Sequence, residues 1–193
     1  MPFNLIVAMC RNNGIGYRGD IPWHIKHDLQ NFSKLTKGHG HNAIVMGNNT
    51  WTSLQNLNRH HNFGLPERDN LIFSHSQSFA EVVTTDNRLI KTFGSYEEFE
   101  PFIQTLAYDE VWIIGGAQVY QMFLEKKLIQ NCYITSIDKD FECDTFFPAL
   151  EPSEWSELEI KTDYDTKYEC NVRYLICEKK PIIVRRNYHS ASE

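Results

Sequence analysis

Asp28 is the residue whose position in this sequence most clearly suggests chemistry. Between residues 22 and 38, apolar residues recur at helical spacing, and they are Ile25, Leu29, Phe32 and Leu35. Asp28 lies three residues after Ile25 and four before Phe32, so it shares their face of the predicted helix. An ionised carboxylate held away from water is costly unless it is paired, and the neighbouring sequence offers no cation on that face. We therefore predict a ligand with hydrogen-bond donors as its partner.

The segment before Asp28 strengthens this interpretation. A helical Asp beside an apolar stripe is more often a boundary residue that reaches solvent, and Asp28 taken alone favours that simpler explanation. Residues 14–23, however, contain three glycines and end in Pro22 and Trp23. Because glycine permits unusual backbone angles, we predict a mobile loop that is anchored by Trp23.

Two glycine-containing turns, each between a predicted strand and a predicted helix, are candidates for binding phosphate. One contains Gly115 and Gly116, and the other contains Gly47 followed by polar side chains. Glycine lets backbone amides approach a ligand, and a helix N-terminus attracts an anion. A single Gly-Gly turn is at least as often a tight turn without a ligand, but two such turns on neighbouring strands could hold a dinucleotide pyrophosphate. Neither turn matches G-x-G-x-x-G, so the ordinary Rossmann fingerprint is absent.

The order of the predicted elements indicates an α/β fold, in which helices flank a mixed, mainly parallel sheet. Strands are predicted at 3–9, 42–46, 70–74, 88–93, 110–114 and 132–137, and helices at 25–36, 49–54, 95–106 and 117–125. Alternating strands and helices are typical of a parallel sheet. Two further strands at 155–162 and 168–178 are predicted to form a C-terminal antiparallel hairpin at the sheet edge.

Length, charge and cysteine usage narrow the class of protein. A chain of 193 residues without a Pro/Gly/Ser-rich linker predicts one domain, and we expect a monomer. The net charge of −6 argues against a nucleic-acid partner and favours a small-molecule ligand. The five cysteines form no C-x-x-C pair, which indicates reduced core thiols. Because there is no charged leader and no run long enough to span a membrane, we expect a cytoplasmic protein.

Nine short motifs follow one another along the chain. They are Ile6-Val-Ala8, Gly14-Ile-Gly16, Asp20-Ile-Pro-Trp23, Asp28 with Phe32, Met46-Gly47 with Thr50-Trp51, Leu65-Pro-Glu-Arg68, Trp112-Ile-Ile-Gly-Gly116 with Tyr120, Thr135, and Asp144-Thr-Phe-Phe-Pro148. In this order they resemble the dihydrofolate reductase family over about residues 3 to 178. The resemblance implies reduction of 7,8-dihydrofolate to tetrahydrofolate, NADPH as the cofactor, and antifolates as inhibitors.

For the substrate, the resemblance implies a role at each matching position. Asp28 corresponds to the active-site carboxylate, which pairs with two adjacent donors of the pterin and favours its protonation, with water as the proton carrier. Thr135 would hydrogen-bond Asp28, and Trp23 would help to hold an ordered water. Arg68 would bind the glutamate carboxylate of folate through two parallel bonds. The other substrate contacts would be Ile6, Val7, Leu29, Phe32, Leu54, Leu65 and Ile114.

For the cofactor, the resemblance implies contacts from the two glycine turns, the loop and the neighbouring strands. The implied residues are Ala8, Ile15, Gly16, Asp20, Gly47, Asn48, Asn49, Thr50, Ser74, His75, Ser76, Lys91, Gly115, Gly116, Ala117, Gln118, Val119 and Tyr120. Tyr120 is also expected beside the reacting nicotinamide, and the Gly115–Gly116 peptide bond is expected to be cis.

The phosphate-binding positions depart from the family pattern. Family members usually carry basic residues after the Met-Gly of the second turn, whereas this chain has Asn48 and Asn49. His75 stands where many members carry arginine, and Lys91 is expected to compensate from the next strand. NADPH remains the predicted cofactor, with weaker discrimination against NADH than is usual.

Two other functions remain open on the sequence. A reductase of another pterin-like or flavin-precursor ring would not need Asp28, Phe32 and Arg68 together. A non-catalytic scaffold that binds nucleotide or protein would be expected to lose Asp28, Trp23 or the Gly-Gly pair. Because all of these are present, the enzyme is the favoured prediction.

The remaining segments point to no further chemistry. Residues 38–42 and 59–61 are rich in histidine but lack a ligand set on a scaffold, so we expect solvated loops and no metal site. The enzyme domain is expected over residues 1–180. Residues 181–193 are mildly basic and are expected to form a flexible extension.

Overall fold

Helices and strands alternate along the chain in the computed structural model, which describes residues 3–57, 64–75, 81–84 and 86–181. The strands are β1 (Phe3–Cys10), β2 (Gly14–Gly16), β3 (Ala43–Gly47), β4 (Asp69–Phe73), β5 (Val82–Val83), β6 (Leu89–Phe93), β7 (Val111–Gly115), β8 (Ile129–Ile137), β9 (Thr145–Phe146), β10 (Trp155–Asp165) and β11 (Cys170–Lys179). The helices are α1 (Lys26–Lys37), α2 (Asn48–Leu57), α3 (Tyr96–Gln104) and α4 (Ala117–Glu125). Every helix and strand that the sequence predicts is present, with bounds that differ by a few residues. The proposed C-terminal extension lies outside the described residues from 182 onwards.

Nine of the eleven described strands form one sheet in the order β10-β11-β8-β1-β7-β3-β4-β6-β5. Five neighbouring strand pairs are parallel, and they are β8–β1, β1–β7, β7–β3, β3–β4 and β4–β6. β11 runs antiparallel to both β8 and β10, which places the predicted hairpin at one edge of the sheet. The α/β class and the mixed, mainly parallel sheet are thus confirmed.

The two faces of the sheet bury different residues because side chains alternate along a strand. On one face, Leu5 and Val7 pack in a cluster with residues of α3 and α4, among them Phe99 and Phe123. On the other face, Ile6 packs in a cluster with residues of α1 and α2. Helices therefore cover both faces, as expected for continuous apolar strands.

Three short strands were not predicted from the sequence. β2 and β9 form a separate two-stranded sheet, in which Gly14 lies opposite Phe146 and Gly16 opposite Thr145. β5 pairs with β6 at the far edge. Strands of two or three residues are too short to show a period, and their formation depends on a partner distant in sequence. The segment predicted as a loop thus begins as a paired strand.

Within the described part of the chain, no helix is both long enough and apolar enough to cross a bilayer.

Candidate active site

The sheet opens between β1 and β7. These strands pair only where Phe3–Leu5 lies opposite Val111–Ile113, although both continue further. In the sheet, β3 and β4 lie on one side of β1, and β8, which comes later in the chain, lies on the other side. The direction in which strands are added thus reverses at β1, which makes it a topological switch point. Ligands of open α/β sheets bind at such points, outside the carboxyl ends of the strands. Beyond the paired region, the Ile6 carbonyl oxygen accepts a 2.7 Å hydrogen bond from the Tyr120 hydroxyl.

Asp28 lies in the first turn of α1, beside this opening, and is only 9% exposed. Burial raises the pKa of its carboxyl group, while a hydrogen bond with Thr135 of β8 and the nearby His27 lower it. Thr135 is itself buried and lies opposite Ala8 of β1. None of the ion pairs found among the described residues includes Asp28. The structure therefore contains a buried carboxylate that forms no ion pair with any described residue.

Tyr174 is a neighbour of Asp28 that the sequence analysis missed. It lies directly opposite Thr135 in the β8–β11 pairing. Its hydroxyl oxygen is buried and has no hydrogen-bond partner among the described residues. Burial, and after it the charge of Asp28, raises the pKa of Tyr174. Strand register brings the two residues together, and no local pattern in the sequence reveals it.

Most of the predicted apolar contacts with the substrate lie together on the Asp28 side of the sheet. The members of this cluster are Ile6, Phe32, Leu54, Leu65 and Ile114, which pack with Met46 and Trp112. Leu29 differs from them because it is 42% exposed, although its spacing places it on the inner face of α1. Val7 belongs to the cluster on the opposite face, since it follows Ile6 along the strand.

Arg68 is buried, with only 3% of its surface exposed. Its Nε donates a 2.8 Å hydrogen bond to the Pro66 carbonyl oxygen, and one terminal nitrogen bonds the Thr36 hydroxyl. Burial, and then the charge of Arg88, lowers the pKa of Arg68 to about 10. No ion pair of the described residues includes it. A solvated loop arginine would show none of these features, so Arg68 is a buried cation in need of an anion.

The two glycine turns meet at the carboxyl ends of β3 and β7, which are adjacent parallel strands. A Cβ atom added to Gly47 would lie 3.2 Å from a Val119 methyl group and 3.9 Å from the Gly116 nitrogen. A Cβ atom on Gly116 would lie 3.6 Å from the Thr50 hydroxyl oxygen. The Gly115–Gly116 peptide bond is cis, as the resemblance implies. The turns therefore place the N-termini of α2 and α4 side by side.

The polar side chains predicted to bind the cofactor differ in their surroundings. Asn48 Oδ1 is buried without a hydrogen-bond partner in the described part of the chain, and Asn49 and Gln118 are exposed. His75 is exposed beside the buried Ser74, while Ser76 lies outside the described residues. The Lys91 ammonium group donates a 2.7 Å hydrogen bond to Glu81, so its charge is already paired. Ala117 is half-buried, and Val119 is buried.

The predicted loop is held by the segment around β9 and by α2. Its first part, Gly14–Gly16, pairs with β9, and the Arg18 amide donates a 2.7 Å hydrogen bond to the Asp144 carboxylate. The Ser53 hydroxyl of α2 donates to the Gly19 carbonyl. Trp23 is 6% exposed, and the centroid of its ring lies 5.1 Å from the ring centroid of Phe141. The loop residues Ile15 and Gly16, like Ala8, are half-buried, whereas Asp20 is exposed.

Tyr120→Phe provides a first test of this geometry. The substitution removes the donor to the Ile6 carbonyl while preserving the ring that packs against Phe147. Because both partners are buried, we expect the free energy of unfolding to fall by about 1–2 kcal/mol. Urea denaturation would measure it. An unchanged denaturation midpoint would show that this hydrogen bond does not stabilise the folded protein.

Comparison with known proteins decides the family. The family model described as dihydrofolate reductase matches residues 2–179. The chain belongs to the dihydrofolate reductase family. A dihydrofolate reductase of Drosophila melanogaster is 36% identical over 169 residues, which cover 83% of this chain and 86% of the relative. A dihydrofolate reductase of Haemophilus influenzae is 33% identical over 93% of this chain and its own entire length. That of Aedes albopictus is 31% identical over 93% of this chain and 98% of the relative.

Among the described residues, no group of three or more His, Cys, Asp or Glu side chains could hold a metal ion. The histidine-rich residues 59–61 lie outside the described part of the chain.

Proposed function

We propose that this dihydrofolate reductase family member reduces 7,8-dihydrofolate to tetrahydrofolate with NADPH as the hydride donor. The observation that carries the proposal is the burial of Asp28, which no ion pair among the described residues includes, in a fold whose two glycine turns adjoin each other at the carboxyl ends of β3 and β7. Few ligands suit this combination. It calls for a flat, donor-bearing ring on one side and a dinucleotide phosphate on the other.

Asp28 would bind the pterin through its 2-amino group and ring nitrogen. A carboxylate that accepts from two adjacent donors forms a bidentate, charge-assisted contact, which would compensate for its burial. Thr135 supports this role, because its side chain lowers the pKa of Asp28 and so favours the charged form. Trp23 would help to hold an ordered water near the pterin. The anionic Asp28 would favour the protonated pterin, so that water delivers the proton.

The apolar side chains would enclose the reacting rings. Phe32, Leu54 and Ile114 pack in the same cluster as Ile6 and Leu65, and exposed Leu29 would add a contact when the substrate binds. Val7 would contribute through its backbone. The carbonyl groups of Ile6 and Ile114 would accept from the ring edge, next to the point where β1 and β7 separate. Exclusion of water from this space strengthens electrostatic interactions within it.

Arg68 would bind the glutamate carboxylate at the other end of the substrate. Its guanidinium group is buried, and no ion pair includes it in the described chain. Two parallel hydrogen bonds to one carboxylate would supply the missing anion.

The glycine turns would hold the cofactor, which supplies a hydride when bound. Backbone amides at the N-termini of α2 and α4 would bind its phosphates, with Gly47, Asn48, Asn49, Thr50, Gly115, Gly116, Ala117, Gln118 and Val119 as contacts. Tyr120, Ala8, Ile15, Gly16 and Asp20 would lie along the nicotinamide half. His75 and Ser74 would bind the 2′-phosphate. Lys91 would contribute less than its charge suggests, because it is bound to Glu81.

A spectrophotometric assay tests the proposed reaction directly. We expect the absorbance of NADPH to fall when dihydrofolate is added, and methotrexate to stop the reaction. Oxidation of NADPH only with other pterins or flavin precursors would identify a related reductase. Binding of NADPH without turnover of any of these substrates would identify a scaffold.

The 2′-phosphate contact makes a second prediction. If His75 binds this phosphate, its imidazole N–H donates a hydrogen bond that alanine cannot make, and NADH lacks the phosphate that would accept it. We therefore expect His75→Ala to lower the preference for NADPH over NADH by about 10-fold. The measurement is the ratio of kcat/KM for the two cofactors in both proteins at one pH. An equal ratio in the two proteins would exclude His75 as a contact with the 2′-phosphate.

A further inference from the structure

Two cysteines distant in sequence meet beside Gly14, where the loop over residues 14–23 begins. Cys10 ends β1, and Cys143 lies two residues before β9. Their sulfur atoms are 3.8 Å apart, and either thiol could be the hydrogen donor. The two residues are 133 positions apart, so the tertiary fold alone creates this contact.

Gly14 leaves the space that the two sulfur atoms occupy. A Cβ atom at Gly14 would lie 2.4 Å from the Cys143 sulfur and 2.9 Å from the Cys10 sulfur. Real Cβ atoms essentially never approach so closely. The loop, the end of β1 and the segment before β9 therefore pack around one thiol pair.

The two thiols differ in their access to solvent. Cys10 is only 2% exposed, whereas Cys143 is half-buried. Burial, and then contact with Cys10, raises the pKa of Cys143 to about 11. The thiolate is the reactive form, so this raised pKa slows the reaction of Cys143 at neutral pH and favours exchange at alkaline pH. An external reagent would reach Cys143 first and Cys10 second.

We propose that Cys10 and Cys143 are a redox modification site, at which a low-molecular-weight disulfide such as oxidised glutathione is exchanged for an internal disulfide. The Cys143 thiolate attacks the reagent, forms a mixed disulfide and releases one thiolate. The Cys10 thiolate then attacks the Cys143 sulfur and releases the second. Two cysteine thiols are oxidised, one external disulfide is reduced to two thiols, and excess dithiol reverses the exchange.

The disulfide would restrain the loop through Asp144, which adjoins Cys143. The Asp144 amide donates a 3.0 Å hydrogen bond to the Gly16 carbonyl, and its carboxylate accepts the bond from the Arg18 amide. A covalent link from Cys10 to Cys143 would therefore fix the anchor of the loop to β1. We expect slower exchange of ligands beneath the loop, and only this consequence rests on the proposed reductase function.

Thiol counting and peptide mapping test the chemistry without any activity measurement. We expect incubation of the full chain with oxidised glutathione at about pH 8.5 to lower the number of free thiols from five to three. Digestion should then yield one linked pair of peptides, which contain Cys10 and Cys143. Cys143→Ser should give no internal disulfide, whereas Cys170→Ser, a control at another buried cysteine, should give the same pair as the parent.

A disulfide between cysteines of the neighbouring strands β8 and β11 is the competing outcome. Cys132 and Cys177 lie directly opposite each other in β8 and β11, and both are buried. A linkage between these two, or five free thiols after prolonged exposure, would overturn the proposal.

Two further measurements test the restraint. Trypsin should cut after exposed Arg18 several-fold more slowly in the oxidised parent than in the reduced parent, with no such difference in Cys143→Ser. Turnover with dihydrofolate should fall several-fold on oxidation and recover with dithiol, again in the parent only. A mapped disulfide with unchanged cleavage at Arg18 would refute the restraint. A protein that shows slower cleavage but no reductase activity would refute the proposed function instead.

Discussion

Asp28→Asn is expected to fold and to lose about 10²–10⁴-fold in turnover at neutral pH. The amide has nearly the shape of the carboxylate but cannot carry the negative charge that favours the protonated pterin. Steady-state kinetics with dihydrofolate and NADPH would measure the loss. Acidic assay conditions should recover part of it, because solvent then supplies protonated pterin without help from the side chain.

Asp28→Asn should lower turnover, but the same substitution should favour the folded state at neutral pH. Burial raises the pKa of Asp28, so ionisation opposes folding, and the parent loses stability as the pH rises through that pKa. The amide side chain of the variant does not ionise. We therefore expect the free energy of unfolding of Asp28→Asn, relative to the parent, to increase from acidic to neutral pH in urea titrations.

Asp109→Asn is the matched control for both effects. Asp109 is an exposed aspartate, so the same change of side chain should alter turnover and stability little. Near-normal turnover of Asp28→Asn at pH 7 would falsify the role assigned to this carboxylate.

Arg68→Leu is expected to raise the KM for dihydrofolate by about 10²–10³-fold, while the kcat changes far less. The guanidinium group would contact the substrate tail and no reacting atom, so its loss should weaken binding. Diaminopyrimidine inhibitors without a glutamate should bind Arg68→Leu almost as well as they bind the parent. Parallel measurements of the KM and of inhibitor dissociation constants would separate these effects.

Arg11→Leu makes the same change at an exposed arginine that is already paired with Asp138. It should leave the KM nearly unchanged, since exposed ion pairs contribute little. Equal weakening of dihydrofolate and of diaminopyrimidines in Arg68→Leu would remove Arg68 from the tail site. The distinction is sharp because the two ligand types would share the Asp28 contact.

Local patterns in the sequence were sufficient to predict the four helices, the longer strands and the burial of Asp28. Helical spacing placed Asp28 among apolar residues, and the alternation of strands and helices indicated the parallel sheet. These properties depend on neighbours within a few positions. The ordered motifs added the family, which the comparison confirmed over residues 2–179.

Register and long-range packing decided the rest. Tyr174 lies near Asp28 because β11 pairs with β8, and Cys10 contacts Cys143 across 133 positions. Exposed Leu29 differs from its helical neighbours because burial requires an opposing element, which the periodicity of one helix does not reveal. The pairing of Lys91 with Glu81 likewise arises between separate segments. A local pattern shows which face a residue shares, whereas only the tertiary structure shows what lies against that face.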